Sequence, residues 1–141
     1  MAEVGDTIRG IVSTICFVET TEASGGERVV VEITYEGSLD RPPPHFHPNQ
    51  TERFEVLEGE IQAVIGGEER SFAPGSRFEV SPGSVHQMWS EHGARQRWET
   101  TPPLRTERFF ELVWGIQNAV AEGKEPAELD LEEFRDEFRL A

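Results

Sequence analysis

Between residues 7 and 100 the chain reads as short alternations of apolar and polar residues cut by turn signals. In Arg28 to Tyr35, the side chains of Val29, Val31, Ile33 and Tyr35 fall on one face and those of Val30, Glu32 and Thr34 on the other, the period of a strand with one face buried. A second apolar run, Thr7 to Val18, precedes it; Cys16 within that run reads as a small buried hydrophobe. Further strands are expected at Glu60 to Ile65, Glu69 to Phe72, Arg77 to Val80, Val85 to Trp89 and Arg95 to Thr100. Gly25-Gly26 and Gly66-Gly67 supply the positive φ of tight turns, and the second pair should join two of these strands as a hairpin. Pro74-Gly75 and Pro82-Gly83 mark two more turns. Short, evenly punctuated strands bury their apolar faces together in a barrel or sandwich, so an all-β architecture is expected here.

After Pro102-Pro103 the period changes. Residues 106 to 121 place Phe109, Leu112, Val113, Ile116 and Val120 on one helical stripe, with Thr106 as N-cap and Gly123 as the stop. A second helix is expected over about 131 to 139, capped by Asp130, with Leu131, Phe134 and Phe138 on its apolar face. Both helices should pack on the outside of the barrel as scaffold. The chain then divides into a β-barrel domain over 1–104 and a helical extension of the same domain over 105–141.

A chain of 141 residues forms one core. Acidic residues outnumber basic ones by 27 to 13, giving a net charge of -14, which repels phosphate backbones and anionic membranes, so neither nucleic acid nor membrane is an expected partner. The start, Met1 to Asp6, lacks a basic stretch followed by a long apolar one, and no run of apolar residues is long enough to span a bilayer. With a lone cysteine no disulfide framework exists, and a soluble, cytoplasmic protein is expected.

The chemistry concentrates in His45-Phe46-His47, Glu52 and His86. On a strand, residues 45 and 47 point the same way. Pro48 and Asn49 favour a turn that brings the Glu52 carboxylate back, and His86 arrives from another strand. Imidazole nitrogens with one carboxylate suit a divalent transition metal: manganese, iron, nickel, cobalt, copper or zinc. The absence of a thiolate from the set points to an open site rather than a closed structural zinc. Arg41-Pro42-Pro43-Pro44 makes a stiff, extended entry to the first ligand. Gln50 and Gln87 are candidates to hold the imidazole N–H groups.

These residues resemble the two cupin motifs. In the first, Gly-x5-His-x-His-x3-4-Glu-x6-Gly, His45, His47, Glu52 and Gly59 occupy the last four positions. In the second, Gly-x5-Pro-x-Gly-x2-His-x3-Asn, Gly75, Gly83 and His86 match. Leu39, Ser81 and Ser90 depart from the motifs at positions that are not ligands, which implies reshaped loops. The resemblance, to a single-domain cupin of the RmlC-like, quercetin-dioxygenase-like kind, implies a double-stranded β-helix: a jelly-roll barrel with two C-terminal α-helices outside, one metal per chain held by His45, His47, Glu52 and His86, and a homodimer. By strand parity Glu52, Phe54 and Val56 share a face, as do His86 and Met88, giving the site an apolar wall.

Four protein ligands on a six-coordinate ion leave two adjacent positions. The resemblance therefore implies a metal-dependent dioxygenase acting on a small, largely apolar or aromatic enol or hydroxy-ketone, with Glu52 as the catalytic proton acceptor. A metal-dependent isomerase or lyase, or a cupin that only binds small molecules, are the alternatives. Redox-neutral chemistry calls for an added proton carrier, and no motif places Tyr35, His92 or Glu99 near the metal. His92, in a polar turn, should face solvent.

Overall fold

The computed structural model describes residues 2–141. Its alternating segments fold into two antiparallel sheets that face each other. One sheet has the order β1 (Thr7–Arg9), β2 (Ser13–Glu19), β3 (Val29–Tyr35), β10 (Ala94–Thr101), β5 (Thr51–Gly59) and β8 (Arg77–Val80). The other runs β11 (Arg139–Leu140), β4 (His45–Phe46), β9 (His86–Trp89), β6 (Ile61–Ile65) and β7 (Glu68–Phe72). Among the described residues no ladder joins the two sheets, so the expected barrel is a two-sheet assembly open along its edges. The inward faces follow the predicted parity: Val29, Val31 and Ile33 of β3 are buried, and Phe54 and Val56 of β5 pack against Ile61, Ala63 and Met88 of the opposite sheet. Gly66 and Gly67 both take positive φ and join β6 to β7, as expected. Cys16, expected to be buried, is only half-buried, because it lies on the outward face of β2 between the inward Ile15 and Phe17.

The motif glycine Gly59 has a clear structural reason. It ends β5 with φ +70°, and a Cβ there would collide with the Gly93 carbonyl oxygen and crowd Ala94. Gly59→Ala therefore combines left-handed backbone strain with a clash against backbone that cannot swing away. It should cost about 2 kcal/mol, measurable as a lower denaturation midpoint at unchanged slope.

Helix α1 (Thr106–Ala121) has the predicted bounds but a different buried face. Thr106, Glu107, Phe109, Phe110 and Trp114 are buried, whereas Val120 is 53% exposed. The indole N–H of Trp114 donates to Ser13 Oγ at 3.2 Å, which seats this face on β2. Thr106 is not the N-cap: Arg105 holds that place without a side-chain cap, and Thr106 Oγ1 instead accepts from Gln50 Nε2. Gly123, with φ +72°, stands just beyond the C-cap Glu122.

The second predicted helix is absent. Asp130 does cap, accepting from Glu132 N–H, but the segment is a single 3-10 turn, Leu131–Phe134, followed by β11. A nine-residue helix is marginal by itself. Here the two-residue strand β4 offers an unpaired edge, which Arg139 and Leu140 cover opposite Phe46 and His45.

Candidate metal centre

Strand pairing brings the predicted ligands together. His45 and His86 are direct cross-strand partners in β4 and β9, with ring centroids 4.4 Å apart. His47 follows the end of β4, where its carbonyl accepts from Gly83 N–H at 3.0 Å, and its ring lies 5.1 Å from that of His86. One ring nitrogen from each of the three histidines falls within 4.8 Å of the others. Glu52 comes from the opposite sheet, on the inward face of β5 and almost fully buried. Its Oε1 lies 2.9 Å from His47 Nε2 and 3.2 Å from His86 Nε2.

The far side of each ring is held by backbone. His45 Nδ1 meets Pro43 O at 2.9 Å, His86 Nδ1 meets Ser84 O at 2.9 Å, and His47 Nδ1 meets Glu137 O at 2.7 Å. A carbonyl can only accept, so each Nδ1 carries the hydrogen, and in the neutral ring the Nε2 lone pair is free to face inward. The expected partners Gln50 and Gln87 do not serve this role. Gln50 donates to Pro102 O, Pro103 O and Thr106 Oγ1, and Gln87 donates to Pro42 O. The proline run is nonetheless part of the site: the carbonyls of Pro42, Pro43 and Pro44 receive Gln87, His45 and Ala141 in turn. With φ locked at each step, those three acceptors hold fixed directions.

Electrostatics bind the acid and the rings together. Burial opposes charge on Glu52, but the approach of His47 and His86 outweighs it and holds the carboxyl well below its usual range. His47 shows the converse: burial opposes its charge, yet Glu52 and the Glu137 carbonyl push its pKa above the ordinary value. His45 is lowered to about 4 by burial and by the neighbouring His86, so its ring is neutral at neutral pH.

The set fits a divalent transition metal. Glu52 Oε1 is buried beside the rings of His47 and His86 and adds a carboxylate donor next to the cluster, although the group whose ligand atoms lie within 4.8 Å of one another holds the three histidines alone. The three-histidine cluster within this fold is thus consistent with a metal site.

These groups form one wall of a cavity of about 580 Å³. The strands add Ile33, Tyr35, Phe54, Met88 and Trp98, and α1 adds Phe109, Phe110 and Trp114. Val56, expected in this wall, is buried in the core between the sheets instead. Sequence reasoning missed the helix as cavity wall. It also missed Phe138, whose ring stacks on His45 at 4.8 Å with 25° between planes. The crowding of Phe109, Phe110, Trp114, Phe134 and Phe138 near the C-terminus was the available signal. Of the three proton carriers considered, Tyr35 lines the cavity. His92 is exposed, and Glu99 lies outside the site between Arg28 and Arg53.

Residues 31–98 match the family model of the cupin domain. The chain superposes on an RmlC-like cupin from Shewanella frigidimarina with a TM-score of 0.64 at 17% identity, covering 73% of this chain and 88% of that one. The corresponding values for KdgF from Halomonas sp. are 0.61, 17%, 72% and 90%. In sequence, an oxidoreductase of Arthrobotrys oligospora is 36% identical over 61 residues, 43% of this chain. That match spans 24% of the relative's own length. Among the described residues no helix is long and apolar enough to cross a membrane.

Proposed function

We propose that this chain is a metal-dependent cupin oxidoreductase of the dioxygenase type, acting on a small, largely apolar or aromatic substrate with an enol or hydroxy-ketone group. The observation that carries this reading is the clustering of His45, His47 and His86, with the buried Glu52 carboxylate against His47 and His86, on the wall of an aromatic-lined cavity. The four side chains are the ligands of one divalent transition metal. Such an ion supplies Lewis-acid polarisation and, if redox-active, electron transfer between a chelating substrate and dioxygen. The similarity to an oxidoreductase over 61 residues agrees with this class.

The chain's own residues divide the remaining work. Phe54, Trp98, Phe109 and Phe110 hold an aromatic body and exclude water. The Tyr35 hydroxyl makes no hydrogen bond among the described residues and its side chain lines the cavity, so it is free to meet a substrate oxygen. Glu52, held as a carboxylate, accepts the acidic proton of the enol. Elemental analysis of protein purified without chelator, together with oxygen uptake over a panel of flavonols, diketones and phenols, tests the reading. Absence of both bound metal and oxygen uptake overturns it. Glu52→Gln keeps the side chain's shape but not its basicity, so turnover compared at equal metal occupancy should fall at least about a hundredfold. Persisting turnover would refute the proton-acceptor role.

One observation favours a second reading, redox-neutral isomerase or lyase chemistry. Tyr35, the chain's sole tyrosine, stands in the same cavity with its pKa pushed up by burial and by the charge of Glu52. It remains a protonated donor opposite a carboxylate base, the acid and base pair that proton shuttling needs. Product formed under strict exclusion of oxygen selects this reading over the first.

A further inference from the structure

The last residues of the chain lie outside the cupin match, yet they reach the proposed ligands at several points. Glu137 O is the acceptor for His47 Nδ1 at 2.7 Å. Phe138 stacks on His45 and lies edge-on to His47, with centroids 6.0 Å apart. Leu140 pairs with His45 in the β11–β4 ladder, and Ala141 N–H donates to Pro44 O at 2.9 Å.

We infer that the C-terminal segment from Phe134 to Ala141 is a working part of the metal centre, with Glu137 and Phe138 as positioning residues, so that metal binding and docking of this tail stabilise one another. The inference rests on the ligand set proposed above.

The tail supplies what the cupin domain does not. Two of the three rings take their Nδ1 acceptor from a residue two positions earlier in the chain, Pro43 for His45 and Ser84 for His86. His47 takes its acceptor from 90 residues away. With the tail undocked, His47 loses the bond that fixes both its tautomer and its ring direction. Phe138 acts on His45 in the same sense. It is itself wedged against Phe109 of α1, 4.9 Å away, so the His45 ring is packed against a supported surface. Glu137 further ties the tail to the helix start, its buried carboxylate accepting from Arg105 N–H at 3.2 Å.

The attachment is also easily released. Arg139, Leu140 and Ala141 are exposed, and β11 pairs through only two residues, so local opening costs little in the absence of a ligand that needs the docked form. Because linkage is reciprocal, whatever the tail adds to metal affinity the metal adds to tail docking. Partners that orient a ligand from behind change metal affinity by roughly 10–100-fold.

The test uses the full chain and cobalt(II) as probe. Hydrogen exchange of the wild-type protein should slow on cobalt addition at the amides of Phe138 and Ala141, bonded to Phe134 O and Pro44 O. The outer strand β7, on the far edge of that sheet, serves as an unaffected reference. Phe138→Ala should weaken cobalt binding at least about tenfold and alter the visible cobalt spectrum, while Phe138→Tyr, which keeps the stacked ring, restores both to near wild type. Unchanged tail exchange, or Phe138→Ala with wild-type affinity and spectrum, overturns this inference and leaves the ligand set standing. Failure of the wild-type chain to bind cobalt overturns the ligand set and this inference with it.

Discussion

Replacing His45 or His47 by alanine weakens divalent-metal binding at least about a hundredfold and leaves the fold in place. Each ring supplies one donor of the proposed ligand set, and losing a ligand itself should cost more than the roughly 10–100-fold that follows from losing a group behind a ligand. Neither residue carries the core: both are half-buried at the cavity wall, unlike His86, which is 1% exposed. The effect is therefore separable from unfolding. At a metal concentration a hundred times the wild-type dissociation constant, binding stabilises the folded wild type by about 2.7 kcal/mol. A variant weakened about a hundredfold gains only about 0.4 kcal/mol at the same concentration. With an unfolding entropy scaled to this chain length, the wild-type melting temperature should rise by about 9 °C on metal addition and that of either variant by about 1 °C. Elemental analysis of the purified proteins should agree, with metal in the wild type and little in either variant. Equal metal content and equal thermal shifts in all three proteins would refute the ligand set.

The clustering of the three histidines was legible in the sequence because its geometry is local or carried by one strand pairing. His45 and His47 are two residues apart, Glu52 and Gly59 follow at motif spacing, and His86 sits on a recognisable strand directly opposite His45. Period-two burial likewise announced β3 and the β6–β7 hairpin, since a half-buried strand writes its two faces into successive residues. What stayed hidden depends on contacts that leave no periodic trace. A two-residue strand such as β11 has no pattern to read, and the carbonyl of Glu137 is the same chemical group in any residue. Phe134 and Phe138 have helical spacing, but their apolar sides are satisfied by α1 and by His45 without a helix. In α1 itself the predicted stripe through Ile116 and Val120 missed the buried face by roughly a quarter-turn. The helix turns instead toward the cavity, where the large rings of Phe110 and Trp114 bury more area than the smaller aliphatic residues would.

That difference between pattern and packing sets the second large effect, the substitution of Phe134 by alanine. Phe134 is fully buried among Phe109, Phe110 and Trp114, its ring 5.3 Å from that of Phe109 and capped by the Arg105 guanidinium at 4.7 Å. Truncation leaves a ring-sized void between α1 and the turn that leads into β11, and such losses cost about 3–5 kcal/mol in well-packed cores. For a chain of this length that is a fall in melting temperature of roughly 10–17 °C. Val120→Ala, on the stripe that the sequence favoured, should change stability by less than about 0.5 kcal/mol because the side chain is largely in water. The pair tests which face of the C-terminal region holds the molecule together. A drop below about 1 kcal/mol for Phe134→Ala would mean that the tail packs onto a core already complete without it. The predicted loss instead places the C-terminal aromatics in the same cooperative unit as β2 and β3, whose Ile15, Phe17, Val31 and Ile33 share their core. A fold that depends on Phe134 to this degree anchors the start of the tail, so opening in the absence of metal is confined to the residues beyond it.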